Sequence, residues 1–198
     1  MMEYYIKTPI SEEEVRKLEA GDVVYISGKI ITGRDQVHRR ALEFYKEGKP
    51  LPVDLRGMAI YHCGPIAEKK GDEWRIVGFG PTTSARMESV EADFLRAFGV
   101  RLVIGKGGMF ERTTQAMKEL GAAYLAHPGG VSVLATKSVK RVLEVHWLDL
   151  GIPEAMWVVE VENFGPTMVA IDSHGRNLFM EVMKRAESRR KEIFEELK

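Results

Sequence analysis

Residues 78–94 read GFGPTTSARMESVEADF. An apolar run, WRIVGFG at 74–80, gives way at Pro81 to two threonines, a serine and an arginine, and a helical pattern begins at once. Met87, Val90, Phe94 and Phe98 then recur at helical spacing until Gly99, a residue suited to a left-handed C-cap. The stretch therefore predicts a strand, a tight turn and a helix in immediate succession. The same design occurs twice more, in TGRDQVHRR (32–40) and GKGGMFERTT (105–114). Strands feeding helices through glycine turns make an α/β domain with mixed sheets.

Outward from these junctions the expected elements follow. SEEEVRKLEA (11–20) predicts a short acidic helix, with Ser11 and Glu14 as a capping box. DVVYISGKIITG (22–33) is β-rich, and Val37, Ala41, Leu42 and Tyr45 give a helix up to Gly48. LRGMAIYHCGP (55–65) and WRIVGFGP (74–81) predict a hairpin around the charged EKKGDE turn. RLVIG (101–105) reads as a buried strand, ERTTQAMKEL (111–120) as a helix, AAYLAHPGG (122–130) as a strand and turn, and VSVLATKSV (131–139) as a short helix or loop. VHWLDLGIPEA (145–155) reads as a crossover, and WVVEVENFG and TMVAIDSHG as two strands around a turn. From Arg176 a last helix places Leu178, Val182, Ala186, Ile193 and Leu197 near one face. The chain is expected to form a single domain over 1–198, with 178–198 as a helical extension.

Composition narrows the function. The chain has 198 residues and a formal charge of +0 at pH 7, which argues against a nucleic-acid footprint. No apolar run approaches the ~18 residues of a membrane span, and the N-terminus MMEYYIKTPI lacks the features of a signal peptide. Cys63 is the only cysteine, so no internal disulfide or cysteine-ligated metal centre is expected, as suits a reducing cytoplasm.

The three junctions carry the chemistry. Helix N-termini present unpaired N–H groups and partial positive charge. With Arg34, Arg86 and Lys106 beside them, anions are the natural ligands. GKGG lacks the full phosphate-loop spacing, so no Walker site is present. Structural roles compete: Asp35 as an N-cap, Thr82 and Thr83 as helix caps, the arginines as surface ion-pair residues. His38, one turn after Arg34, is a candidate for proton transfer near neutral pH or a structural histidine. His62 and Cys63 read as core or strand-end residues, His127 as part of a turn that can line a cleft, and His146 as structural or interfacial.

ISGKIITGRDQVHRR (26–40), GPTTSARMES (80–89), GKGGM (105–109) and VHWLDLGIPEAMWVVEVENFGP (145–166), in this order, closely resemble the β subunit of two-subunit class I hydro-lyases, the iron–sulfur fumarases and L-tartrate dehydratases. The resemblance implies a swivelling β/β/α-type domain with mixed sheets and a C-terminal helix. It implies a partner α subunit holding a [4Fe–4S] cluster, and no cluster on this chain. It implies reversible hydration of fumarate to L-malate as the leading activity, with dehydration of L(+)-tartrate to oxaloacetate as the alternative. Arg34, Arg86 and Lys106 would bind substrate carboxylates, and Thr82 would transfer the proton with His38 as competitor. Homodimerisation through another surface is also expected. A non-catalytic anion-binding or scaffolding subunit is the alternative of a different class.

Overall fold

The computed structural model describes residues 1–196. Its centre is a ring of strands. Strands β2 (Val23–Thr32), β3 (Ala59–Tyr61), β6 (Leu102–Gly105) and β7 (Ala123–Ala126) run parallel in that order. The long β9 (Met156–Ile171) pairs antiparallel with β7 and with β2 and closes the circle. β1 (Glu3–Lys7) lies parallel to the first half of β2, and β8 (Val139–His146) antiparallel to the first part of β9.

Alternation along the strands sorts side chains to the two faces of the ring. Ala59, Tyr61, Leu102, Ile104, Ala123, Leu125, Trp157 and Val159 are buried in one cluster inside it. The intervening Ile60, Val103, Tyr124 and Val158 belong to a second cluster outside it. There they meet α2 (Asp35–Lys46), α3 (Glu88–Phe98) and α4 (Glu111–Leu120). Every residue of β6 is buried, as expected of a parallel strand covered on both faces. Helices α3 and α4 end as their sequences require, with Gly99 and Gly121 in the left-handed region (φ 63° and 64°).

Three expectations are corrected. The hairpin pairs β4 (Ile66–Lys70) with β5 (Glu73–Gly78) across a two-residue Gly71–Asp72 turn. Residues 59–61 instead enter the ring. The charged Glu68–Lys70 stretch is therefore strand, with Lys69 over the Trp74 ring at 6.0 Å. Residues 156–171 form one strand, because Asn163 (φ 50°) and Gly165 bend it while both halves keep pairing with β2. β8 was hidden by its charged residues, although Val139, Val142 and Val145 pack against the inner cluster. The acidic helix α1 is only Glu12–Val15, with its capping box intact: Ser11 Oγ accepts from Glu14 N–H at 3.2 Å, and Glu14 Oε2 from Ser11 N–H at 3.0 Å. A short helix α5 spans Ser132–Thr136.

Helix α6 (Leu178–Glu196) leaves the body after Phe179, which packs onto Gly108. From Glu181 to Arg190 every side chain is exposed. Val182, Met183, Ile193 and Phe194 are exposed apolar groups on it. Leu197, expected on its apolar face, lies outside the described residues. The helix is fastened by Asn177, buried at its start. Asn177 Nδ2 donates to Met109 O (3.0 Å) and Thr114 Oγ1 (2.8 Å), and its Oδ1 accepts from the N–H groups of Phe179 and Met180. Asn177→Ala should lower stability by about 2 kcal/mol, or roughly 4–8 °C in melting temperature, and expose 178–190 to protease before the ring opens. Thermal melts with timed proteolysis measure both.

Candidate active site

Four parallel strands in one ring deliver their carboxyl ends to one rim, where open α/β sheets bind ligands. Arg34 follows β2, His62 follows β3, Lys106 follows β6 and His127 follows β7. The 81–84 turn is woven between two of them. Thr82 N–H donates to His62 O at 2.7 Å, Lys106 N–H to Thr82 O at 3.1 Å, and Ser84 N–H to Lys106 O at 2.9 Å. The backbone thus holds Thr82 and Lys106 side by side.

Arg86, one turn of a 3-10 helix (Ser84–Met87) further on, donates from Nη2 to Thr82 Oγ1. The same Nη2 lies 4.0 Å from Asp35 Oδ2, which places the first turn of α2 beside the 82–86 turn. Arg34 occupies the N-cap position of α2, and Asp35 is the first helical residue rather than the cap. Arg34 Nε sits 3.0 Å from Glu154 Oε1, off the hydrogen-bond direction. Both cations nearest the ring pass over glycine. A Cβ on Gly64 would stand 2.6 Å from Arg34 Nη1, and one on Gly129 would stand 2.9 Å from Lys106 Cδ. Lys106 is exposed and, among the described residues, makes no ion pair. Thr82, Arg34, Arg86 and Lys106 therefore share one rim. The Thr82 hydroxyl caps no helix: it accepts from Arg86, and Thr83 at the N-cap position makes no side-chain cap either.

His38 is placed differently. It is fully buried, its Nδ1 is 2.8 Å from Arg34 O, and its Nε2 is 3.3 Å from Glu91 Oε2. As a direct proton carrier it has no path to a ligand on the rim, because both ring nitrogens face protein. Glu91 Oε2 also lies 3.0 Å from Nε2 of the buried His62. Beyond it, His62 Nδ1 lies 2.9 Å from Ser84 Oγ, and Tyr124 Oη is 3.0 Å from Ser84 Oγ and donates to Gly107 O at 2.7 Å. Burial alone would push Glu91 upward, but the two imidazoles outweigh it and hold the carboxyl at about 2. Burial pushes His38 down, yet Glu91's charge prevails and raises it; for His62 burial prevails and the ring is lowered. Glu91 is thus held as a carboxylate between two imidazoles whose proton affinities its charge and their burial push in opposite directions.

Sequence reasoning missed Glu91, Ser84 and Tyr124. The signal for Glu91 was present: it falls on the helix face shared with Met87, Phe94 and Phe98, a carboxylate among apolar side chains. Cys63 is buried as expected, and burial pushes its thiol up, the opposite of a metal-binding thiolate.

Known proteins align with this chain over nearly its whole length. The profile of the family described as the fumarase C-terminus matches residues 2–182. The L(+)-tartrate dehydratase subunit beta of Escherichia coli (strain K12) is 45% identical over 196 residues, 99% of this chain and 96% of that protein. A putative L(+)-tartrate dehydratase subunit beta from Methanocaldococcus jannaschii is 45% identical over 190 residues, 96% of this chain and 97% of that one. A putative fumarate hydratase class I from Geobacillus stearothermophilus is 43% identical over 180 residues, 90% of this chain but 34% of the longer protein. With Arg34, Thr82, Arg86 and Lys106 on one rim and these matches end to end, the chain belongs to the fumarase C-terminus family, as a β subunit of the class I hydro-lyases.

Proposed function

We propose that the chain is the β subunit of an L(+)-tartrate dehydratase, working with an α subunit to remove water from tartrate and give oxaloacetate. The observation that carries the substrate is the full-length match to chains named tartrate dehydratase subunit beta. This reverses the order expected from the sequence, in which fumarate led. Fumarate hydration is kept as the second reading because a relative named for it is 43% identical. The ring with helices packed outside supports the swivelling β/β/α reading. The cytoplasm remains the proposed compartment, on cysteine usage alone.

The chain's own residues do not build a cluster site. Its one cysteine is buried with a raised pKa, which supports the reading that the cluster implied by the resemblance would be held by the partner. What this chain supplies is substrate binding and a proton route. Arg34, Arg86 and Lys106 would take the substrate's carboxylates, the arginines exchanging Glu154 and Asp35 for them. Thr82 Oγ would take the proton from the carbon that loses it. An alcohol is a poor base, and the Arg86 guanidinium already bonded to that oxygen favours its anionic form. The exposed Arg86 and Lys106 need a second surface to exclude water, which the α subunit would provide.

Co-expression with the α subunit, purification, and assays on tartrate, malate and fumarate test the function. Turnover of tartrate above the other two is expected; a preference for malate and fumarate returns the second reading, and no turnover of any removes both. The same preparation reports self-association by its mass. In the assembled enzyme, alanine at Arg34, Arg86 or Lys106 should each lower kcat/KM by roughly thirty- to several-thousand-fold. Thr82→Val should lower kcat by roughly 10²–10⁴-fold with little change in KM, and Thr82→Ser should recover part of it. Steady-state kinetics at matched cluster content decide between this and a merely structural threonine, whose loss would leave kcat within a few-fold.

A further inference from the structure

The buried trio under the rim lies outside the substrate-binding set, and burying three titratable groups without function is costly. We propose that Glu91 is the positioning residue of this site: its carboxylate ties His38 and His62 into a brace that sets the spacing of the three anion-binding turns. The inference deepens the functional reading above and rests on it for its kinetic part.

The brace ends on backbone at both sides. His38 Nδ1–H donates to the carbonyl of Arg34, which begins the first turn. Glu91 lies on α3, directly after the second turn, and its Oε2 stands within ion-pair distance of both imidazoles, 3.3 Å from His38 Nε2 and 3.0 Å from His62 Nε2, off the hydrogen-bond direction in each case. His62 holds the second turn twice, through its carbonyl to Thr82 N–H and through its ring to Ser84 Oγ. Tyr124 carries the chain of contacts on to the carbonyl of Gly107, in the third turn. The path therefore reaches Arg34, Thr82 and the residue after Lys106 without touching solvent. One carboxylate oxygen within ion-pair distance of both ring nitrogens ties the two imidazoles by charge rather than by directed hydrogen bonds. Around the trio, Phe94 of α3 covers His38 at 4.3 Å between ring centroids, and Asp35 is the other charged group whose field reaches both histidines. The sub-ångström placement of the cations is what such a brace controls, and misplacement of about 1 Å costs on the order of 10²-fold in rate.

Two measurements on the full chain assembled with its partner test this. In Glu91→Gln, which keeps the shape and removes the charge, amide hydrogen exchange should speed up roughly tenfold or more at all three turns, around residues 34–37, 82–86 and 106–108. The 66–78 hairpin should be unchanged. Tyr124→Phe, a milder change that serves if Glu91→Gln fails to fold, should loosen 106–108 and leave 34–37 as it was. In kinetics, Glu91→Gln should lower kcat/KM by about 10²-fold, with a rise in KM as part of the loss, and adding His38→Gln to it should cost almost nothing more. If the parent has no hydro-lyase activity, the functional reading fails while the exchange pattern still decides the brace. The brace is overturned by any of three results. One is exchange that rises uniformly or at α3 alone. Another is a His38→Gln loss confined to kcat that multiplies with that of Glu91→Gln, the mark of a proton carrier. The third is a stoichiometric metal ion that leaves with Glu91→Gln, which would make the three groups ligands.

Discussion

The structure depends on one closure. β9 pairs with β2 along most of its length and with β7 at its end, and this turns an open sheet into a ring. Four parallel strands then have a common rim, and their following turns must meet there. Without the closure the turns after β2 and β7 would stand at opposite ends of an open sheet. The residue that ends β7, Ala126, pairs directly with Met168 of β9, so the last strand also borders the rim it creates.

On that rim the electrostatics are local. The chain carries a formal charge of +0, and the two arginines at the site stand at ion-pair distance from neighbouring carboxylates, Arg34 from Glu154 and Arg86 from Asp35, while the exposed Lys106 has no such neighbour among the described residues. Such partly exposed pairs contribute little to stability, so on the proposed function a dicarboxylate would displace them at small cost. Beneath them Glu91, His38 and His62 are fully buried. Fixed groups in the floor and exchangeable pairs on the surface would let the proposed site bind a charged ligand without reorganising the fold.

The sequence revealed junctions better than pairings. The glycine turns, the capping box at Ser11 and the left-handed ends at Gly99 and Gly121 are local, and local geometry is written in neighbouring residues. The positions of Arg34, Thr82, Arg86 and Lys106 at strand–helix junctions were legible for the same reason, with Thr82 and Arg86 sharing one turn. Strand partnership is a long-range property, so the hairpin was shifted and the bend at Asn163 was taken for a reversal. β8 escaped because alternation with lysine and glutamate looks like solvent-exposed coil until a neighbouring strand is supplied. His38 was seen as a residue of the site but not as a buried one. Its companions Glu91 and His62 come from another helix and another strand, and no spacing rule joins them.

The glycines under the cations bear on how this surface can change over evolutionary time. A side chain at Gly64 or Gly129 would displace Arg34 or Lys106, and one at Gly105 would overlap Ser84 Oγ. A side chain at any of these three glycines therefore cannot be added without moving a neighbouring side chain. Drift toward a new substrate has more freedom on whatever surface faces this rim than on the rim itself.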